Sequence, residues 1–351
     1  MEFKTVLTRE IQGGISRIDD HRRHWATGNP VSTARLVSLA EAARVQSTAA
    51  ASRLAGMRLS DAEVATIIEG DAVRTPDDQR VRGYANALST SFAPPTRALR
   101  SDDFGKLHAL ALTHPLADRP SECRSSALIR EAFTATGQAT GRVYSTLAPR
   151  QIEPRMRALT SWLDDRMRDS TSHSITATAT FVLGLLAASP YETGNGRVAF
   201  LAFGHLLRRA GYPQLPYASL EAQIEDLRDE YQDAFDKSQT RFWTGESKIE
   251  PWLEFCVRAL DRHRERVDLK IALEQRANDF PPLQKAILQA VREHGTVGAG
   301  LLLQTTGANR NTLKDNLRRL VDRGLLEKHG ERRGTLYRMA PALPSTPDIE
   351  R

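Results

Sequence analysis

Residues 189–200 read Ser-Pro-Tyr-Glu-Thr-Gly-Asn-Gly-Arg-Val-Ala-Phe, and they carry the strongest signal in the chain. Glycine tolerates positive φ, so Gly194 and Gly196 allow consecutive backbone N–H groups to converge on an anion. Asn195 and Arg197 add side-chain donors, and a guanidinium matches the geometry of a phosphate. Taken by themselves, these four residues are more typical of a tight turn than of an anion site.

The flanking residues favour the anion-binding interpretation. Residues 174–188 are mostly small and apolar, and residues 198–209 form a second helix-compatible run. A loop whose N–H groups open a helix also gains the positive end of that helix dipole. The sequence therefore predicts a phosphate-binding loop between two helices.

This arrangement resembles the signature of the Fic family. That signature is His-Pro-Phe, any residue, Asp or Glu, Gly-Asn-Gly-Arg, two residues, Arg. Pro190 and residues 194–197 match it, and Tyr191 is a conservative replacement for Phe. Fic proteins mostly transfer AMP from ATP to a hydroxyl side chain of a target protein, so the resemblance implies ATP or another nucleotide as the ligand.

Three positions depart from the signature, and they are the chemical ones. Ser189 stands at the position of the His that takes the proton from the attacking hydroxyl, and a serine is no base near neutral pH without an activating partner. Thr193 stands at the position of the metal-binding carboxylate, and its neutral oxygen is a weak Mg²⁺ ligand. Phe200 replaces the second Arg and cannot hold a terminal phosphate. The resemblance thus implies a degenerate site with no standard catalytic residue intact and no metal site, unless Glu192 substitutes for Thr193.

A second motif of the family falls on residues 51–56. Inhibitory helices of Fic proteins carry a Ser-Ser-x-Ile-Glu-Gly type motif whose Glu pairs with the second Arg. Here Ser52 and Gly56 are kept while the Glu position is Ala55. Because its partner is Phe200, both ends of the ion pair are apolar, and no buried charge is left alone.

Other segments fit the same scheme. Residues 119–124 resemble the turn before the substrate-docking flap, and residues 142–149 predict a flap hairpin ahead of a helix over 154–165. We expect a mainly α fold: a Fic-like helical core with a small β-hairpin flap, followed by a C-terminal winged helix (α+β) domain.

The C-terminal part predicts a winged helix-turn-helix domain. Apolar residues mark one face of a helix over 283–294, and a second amphipathic helix covers 310–320. A strand begins at Gly324, and residues 331–334 form a turn before a second strand. In winged helix domains the second helix enters the major groove and the wing touches the backbone. The alternative is a winged helix used for protein contacts or dimerisation.

Charge favours DNA binding. Residues 308–338 contain nine basic and four acidic side chains and carry +5 of the chain's formal net charge of +6. A local basic face of this kind is typical of phosphate-backbone binding. The predicted DNA-binding residues are Arg310, Asn311, Lys314, Arg318, Arg319, Arg332 and Arg333.

Length and composition agree with several domains. The 351 residues, of which 40% are hydrophobic, can form more than one core. We expect an N-terminal helical region over 1–90 with the remnant inhibitory helix, a Fic-like domain over 91–272, the winged helix over 273–340 and a disordered tail over 341–351. The two cysteines show no metal spacing, no apolar run reaches membrane-spanning length, and a cytoplasmic homodimer is expected.

Three functional hypotheses follow. The first is a DNA-binding regulator whose degenerate Fic domain binds a nucleotide or another phosphate ligand. The second is an enzyme with altered Fic chemistry that transfers AMP or another phosphoryl-linked group to a protein hydroxyl. The third is an inactive module that docks a protein segment at the flap by strand addition. The four departures at positions 55, 189, 193 and 200 favour the first.

Overall fold

The computed structural model describes residues 3, 7–28, 31–70, 75–92, 101–112, 121–133, 139–278, 281–330 and 335–339. Two compact units make up the chain, Met1–Lys270 and Ile271–Arg351. None of the described helices combines the length and apolar character needed to cross a bilayer.

The N-terminal unit is mainly helical, as predicted. Its helices are α1 (Arg9–Thr27), α2 (Thr33–Leu54), α3 (Asp61–Glu69), α4 (Pro76–Phe92), α5 (Ser101–Leu112), α6 (Pro149–Arg168), α7 (Ser174–Ala188), α8 (Asn195–Arg209), α9 (Leu220–Asp226), α10 (Arg228–Gln239) and α11 (Glu250–Asn278), the last of which runs into the C-terminal unit. Strands β1 (Ile129–Phe133) and β2 (Ala139–Ser145) form an antiparallel hairpin between α5 and α6.

The hairpin and α6 are displaced from their predicted positions. β2 covers only the start of the predicted 142–149 hairpin, because Pro149 already occupies the first turn of α6. Pro154, the predicted start of this helix, instead lies inside α6. The first strand of the hairpin comes from residues 129–133, which the sequence analysis did not single out.

Helix α7 is the centre of the N-terminal unit. Thirteen of its fifteen residues are buried. A Cβ on Gly184 would lie 2.7 Å from Leu159 Cδ2 and 2.8 Å from Phe242 Cε1, so glycine allows both neighbours to pack closely. Trp252 Nε1 donates to Ala179 O at 2.7 Å, which joins α11 to α7. These contacts fix the helix that leads into the 189–200 loop.

Helix α2 reaches its neighbours through small side chains. Its buried face consists of Ala43, Ser47, Thr48, Ala49, Ala50, Ala51 and Ser52. Ser47 Oγ donates to Ser219 Oγ at 2.9 Å, and Arg53 makes two bonds of 2.7 Å to the carboxylate of Glu225. These contacts anchor the C-terminal end of α2 to α9, and this end forms one wall of the site described below.

Beyond the end of α11, the described part of the C-terminal unit contains three helices and a small sheet. The helices are α12 (Pro282–His294), α13 (Ala299–Thr306) and α14 (Arg310–Asp322), and the strands are β3 (Val297–Gly298), β4 (Leu326–His329) and β5 (Leu336–Met339). β5 lies between β3 and β4 and pairs antiparallel with both.

The core of this unit agrees with the predicted amphipathic helices. Leu313, Leu317 and Leu320 of α14 are buried together with Ile287 and Val291 of α12. The turn over 331–334, with Arg332 and Arg333, and the tail over 341–351 lie outside the described residues. The assignment of this unit as a winged helix stays a prediction.

Candidate functional site

The 189–200 loop links α7 to α8 through two left-handed residues. Ser189 has φ 42° and ends α7, and Gly194 has φ 75° and precedes the first residue of α8. Asn195 closes the loop, because its Oδ1 accepts from Tyr191 N at 2.9 Å and its Nδ2 donates to Tyr191 O at 2.7 Å. This bonding starts α8 three residues earlier than predicted and makes Asn195 a residue that shapes the loop.

Ser189 is withdrawn from solvent. Its side chain is fully buried, with 0% exposed, and its Oγ donates to Leu186 O at 2.8 Å. The residue does not line the cavity that the rest of the loop forms. The hydroxyl at this position therefore has no access to a bound substrate.

Arg124 holds the loop to the base of the hairpin. The side chain is 4% exposed, and its backbone N–H also donates to Pro190 O at 2.8 Å. Its guanidinium donates to five acceptors: Ser126 O at 2.6 Å, Leu147 O at 2.5 Å, Thr146 Oγ1 at 2.8 Å, Ser189 O at 2.8 Å and Ala188 O at 3.4 Å. One side chain thus satisfies backbone groups of α7, the loop and both ends of the hairpin.

His108 supports the other side of the loop. Its ring stacks on Tyr191, with centroids 3.9 Å apart, and its Nε2 donates to Thr193 O at 2.9 Å. Since Nε2 carries the proton, Nδ1 accepts from Ser121 Oγ at 2.7 Å. Burial lowers the pKa of His108, and the bond to Thr193 offsets part of this effect. The lowered pKa favours the neutral form of the ring. No sequence pattern indicated His108, because the carbonyl that it contacts at Thr193 is distant in the chain.

The loop opens onto a cavity of about 430 Å³. Three other elements complete its wall: the end of α2, the first turns of α10 and the residue before β1. Its lining residues are Ala51, Leu54, Ala55, Leu128, Glu192, Thr193, Gly194, Asn195, Gly196, Arg197, Phe200, Arg228, Asp229, Tyr231 and Gln232. The structure therefore brings together the predicted phosphate loop, Thr193, Phe200 and Ala55.

Arg197 is a buried cation without a carboxylate partner among the described residues. Its side chain is 4% exposed, and its Nη2 donates to Met57 Sδ at 3.6 Å, a weak acceptor. Its Nε has no hydrogen-bond partner in the described part of the chain. Burial lowers the pKa of this guanidinium, which shows how poorly the surroundings solvate the charge. A site that leaves a buried cation uncompensated is suited to an anion.

Two of the departing positions, Phe200 and Ala55, give the cavity an apolar part of its wall. Phe200 is 8% exposed and meets Tyr231 edge to face, with centroids 6.2 Å apart. Ala55 follows the last residue of α2, and Gly56 turns the chain with φ 90°. Ser52 Oγ donates to Thr48 O within α2 at 2.8 Å and does not line the cavity.

The acidic residue of the loop, Glu192, is hydrogen-bonded to the segment before the hairpin. Glu192 is exposed, and its Oε1 accepts from Ser126 Oγ at 2.8 Å. Within the described part of the chain, no group of three or more His, Cys, Asp or Glu side chains could hold a metal ion. Thr193 is exposed at the cavity wall.

The predicted DNA-binding residues that lie in the described chain belong to one helix. Arg310, Asn311, Lys314, Arg318 and Arg319 are all exposed on α14. Asn309 begins this helix by accepting from Thr312 N at 2.9 Å. No ion pair joins the four cations to another described residue, although α14 also carries Asp315 and Asp322.

Comparison with known proteins supports the resemblance. The Fic/DOC family profile matches residues 98–207. A comparison with curated proteins finds no match.

Among solved structures, the chain is similar to a Fic family protein from Desulfovibrio desulfuricans, with TM-score 0.63, 18% identity and coverage of 98% of this chain and 100% of that one. It is also similar to a Fic domain containing signaling protein from Bacteroides thetaiotaomicron, with TM-score 0.58, 17% identity and coverage of 76% and 97%. A third similar structure is Fic-1 from C. elegans, with TM-score 0.58, 15% identity and coverage of 75% and 73%. At these identities the similarity establishes the fold, while the profile match establishes the family of the segment: residues 98–207 form a Fic/DOC family domain.

Proposed function

We propose that this protein is a DNA-binding regulator whose Fic domain keeps a nucleotide-binding pocket and has lost the groups needed for ordinary AMP transfer. The observation that carries the proposal is Arg197, whose guanidinium lies buried in the wall of the loop cavity with its Nε unpaired among the described residues. An unpaired buried cation lowers stability, so its presence is best explained by an anionic ligand that pairs with it.

The chemistry of the site favours binding over transfer. In a transfer reaction, a base must reach the proton of the attacking hydroxyl. Ser189 stands at the position of that base, and its buried hydroxyl instead donates a hydrogen bond to Leu186 O. Both ring nitrogens of the neighbouring His108 are engaged in hydrogen bonds, Nε2 with Thr193 O of the loop and Nδ1 with Ser121 Oγ. The cavity retains the backbone N–H groups at the start of α8, which attract a phosphate without any catalytic group.

Replacing Arg197 with methionine should change stability and binding in opposite directions. The variant removes an unpaired buried charge while keeping most of the side-chain volume, so the ligand-free protein should be as stable as the parent or more stable. Its affinity for ATP should fall about tenfold or more, because a charge-assisted hydrogen bond is lost. Calorimetry and thermal unfolding measure the two effects, and Arg157→Ala on the exposed surface of α6 is the control. Absence of nucleotide binding by the parent protein contradicts the pocket proposal.

The α14 surface supports the DNA-binding part of the proposal. Replacing Arg310 and Arg319 with alanine should lower the affinity for duplex DNA about tenfold or more and reduce the slope of log affinity against log salt by about two if both contact phosphates. Fluorescence anisotropy over a salt series measures both quantities. The double variant Arg157→Ala, Arg168→Ala removes the same charge from α6 and should have no effect. A salt-independent response of the parent protein would favour a protein-contact role for this unit.

A second candidate function is group transfer to a protein hydroxyl by altered chemistry. This candidate is favoured by the position of Leu128, which directly precedes β1 and lines the cavity. The base of the hairpin therefore borders the cavity. A peptide paired with the hairpin would present its side chains beside the cavity. Incubation with labelled ATP separates the candidates: covalent label on a protein supports transfer, and bound but untransferred label supports the regulator. Absence of both leaves the docking module.

A further inference from the structure

Arg228 adds a second guanidinium to the cavity from a different helix. Residues 228, 231 and 232 have the i, i+3, i+4 spacing of one helix face, and all three line the cavity. Tyr231 on this face meets Phe200 of α8 edge to face. Because Arg228 lies about one helical turn, or about 5 Å, before Tyr231, it extends the α10 wall of the cavity beyond this aromatic contact.

Arg228 forms no ion pair within the described part of the protein. The side chain is half-buried, yet no hydrogen bond or ion pair joins it to another described residue. Other arginines of the same unit have carboxylate partners: Arg53 pairs with Glu225 and Asp61, and Arg258 pairs with Glu10 and Glu230. Arg228 and Arg197 are thus two guanidiniums on two walls of one cavity, and neither has a carboxylate partner among the described side chains.

Of the described residues that line the cavity, Arg197 and Arg228 are the only basic ones. Phe200 follows Arg197 by about one turn on α8 and presents an apolar ring to the cavity. A ligand with a single phosphate at the loop can meet Arg197 and the N–H groups of α8. A ligand with further phosphates needs a cation elsewhere, and α10 provides one.

We propose that Arg228 binds the outer phosphate of a nucleoside di- or triphosphate whose inner phosphate lies at residues 194–197. This inference rests on the proposed nucleotide-binding function. It makes Arg228 the residue that distinguishes ligands by their number of phosphates. A guanidinium suits this task because its planar fork matches two phosphate oxygens at once.

Asp229 opposes this interaction and offers a second test. Its carboxylate is exposed in the first turn of α10 and also lines the cavity. A carboxylate beside a bound phosphate repels it, so removing the charge should strengthen binding of the more highly charged ligand.

Calorimetry with ATP and AMP on the full chain tests the proposal. Arg228→Ala should weaken ATP binding about tenfold or more and change AMP binding by less than about twofold. Asp229→Asn should strengthen ATP binding by about two- to fivefold. Arg197→Met should weaken both nucleotides, and Arg157→Ala should change neither. Thermal unfolding confirms that each variant is folded.

The outcomes distinguish a failure of the proposed role of Arg228 from a failure of the proposed nucleotide-binding pocket. Equal loss of ATP and AMP affinity in Arg228→Ala, or no loss, overturns the role of Arg228 while the nucleotide pocket stands. A parent protein that binds neither nucleotide overturns the pocket and this inference with it.

Discussion

Replacing Arg124 with alanine should lower the free energy of unfolding by about 3 kcal/mol or more, because several backbone acceptors lose their donor at once. The five bonds of Arg124 join the end of α7, the loop and the hairpin base within a buried site. An unsatisfied buried acceptor costs about 1–3 kcal/mol, and water can reach part of the space that alanine leaves. Chemical denaturation measures the change.

Arg124→Lys is the informative companion variant. Lysine keeps the positive charge but offers its three donors from a single atom, so it cannot reach acceptors on both sides of the loop. We expect a loss between those of the parent and the alanine variant. A lysine variant as stable as the parent would mean that charge, and not the fork of the guanidinium, holds the loop.

The two glycines of the loop should respond to alanine in opposite ways. Gly194 has φ 75°, and a Cβ there would press on Leu112 Cδ1 and lie 3.0 Å from Leu112 Cγ. Gly194→Ala should therefore lower the free energy of unfolding by about 2–3 kcal/mol, from the left-handed backbone and the displaced leucine. Gly196 lies inside the first turn of α8, and a Cβ added there would meet no described atom within 4 Å, so Gly196→Ala should raise stability by about 0.5–1 kcal/mol.

The ATP affinity of the Gly196→Ala variant tests whether Gly196 borders the bound ligand. The open space beside Gly196 belongs to the cavity, so the added methyl group should lower ATP affinity about tenfold while the protein becomes more stable. Thermal unfolding and calorimetry on the same samples measure both effects. Unchanged ATP affinity in Gly196→Ala would place the phosphate away from the start of α8.

The sequence predicted those features of the site that depend on local spacing. The glycines, Arg197 and the two flanking helices lie within a few residues of one another, and helix and turn preferences act over that range. The early start of α8 escaped prediction because it follows from the two bonds between Asn195 and Tyr191, which depend on how the loop folds back on itself.

The remaining parts of the site come from distant segments. His108 contacts a carbonyl 85 residues away at Thr193, and its own surroundings in the sequence contain no ligand spacing. Arg124 was noted as the end of a turn, but its acceptors are mostly backbone carbonyls, which no sequence pattern marks. Arg228 lines the same cavity as the loop, where Tyr231 of α10 meets Phe200 of α8.

The unpaired charge of Arg197 also bears on how long the protein persists in a cell. A ligand that binds only the folded chain adds about 2.7 kcal/mol of stability at a concentration about one hundred times its dissociation constant. Proteases degrade unfolded chains, so a shift of this size can change abundance several-fold. Under the proposed function, the protein would therefore accumulate when the nucleotide is plentiful and be cleared when it is scarce.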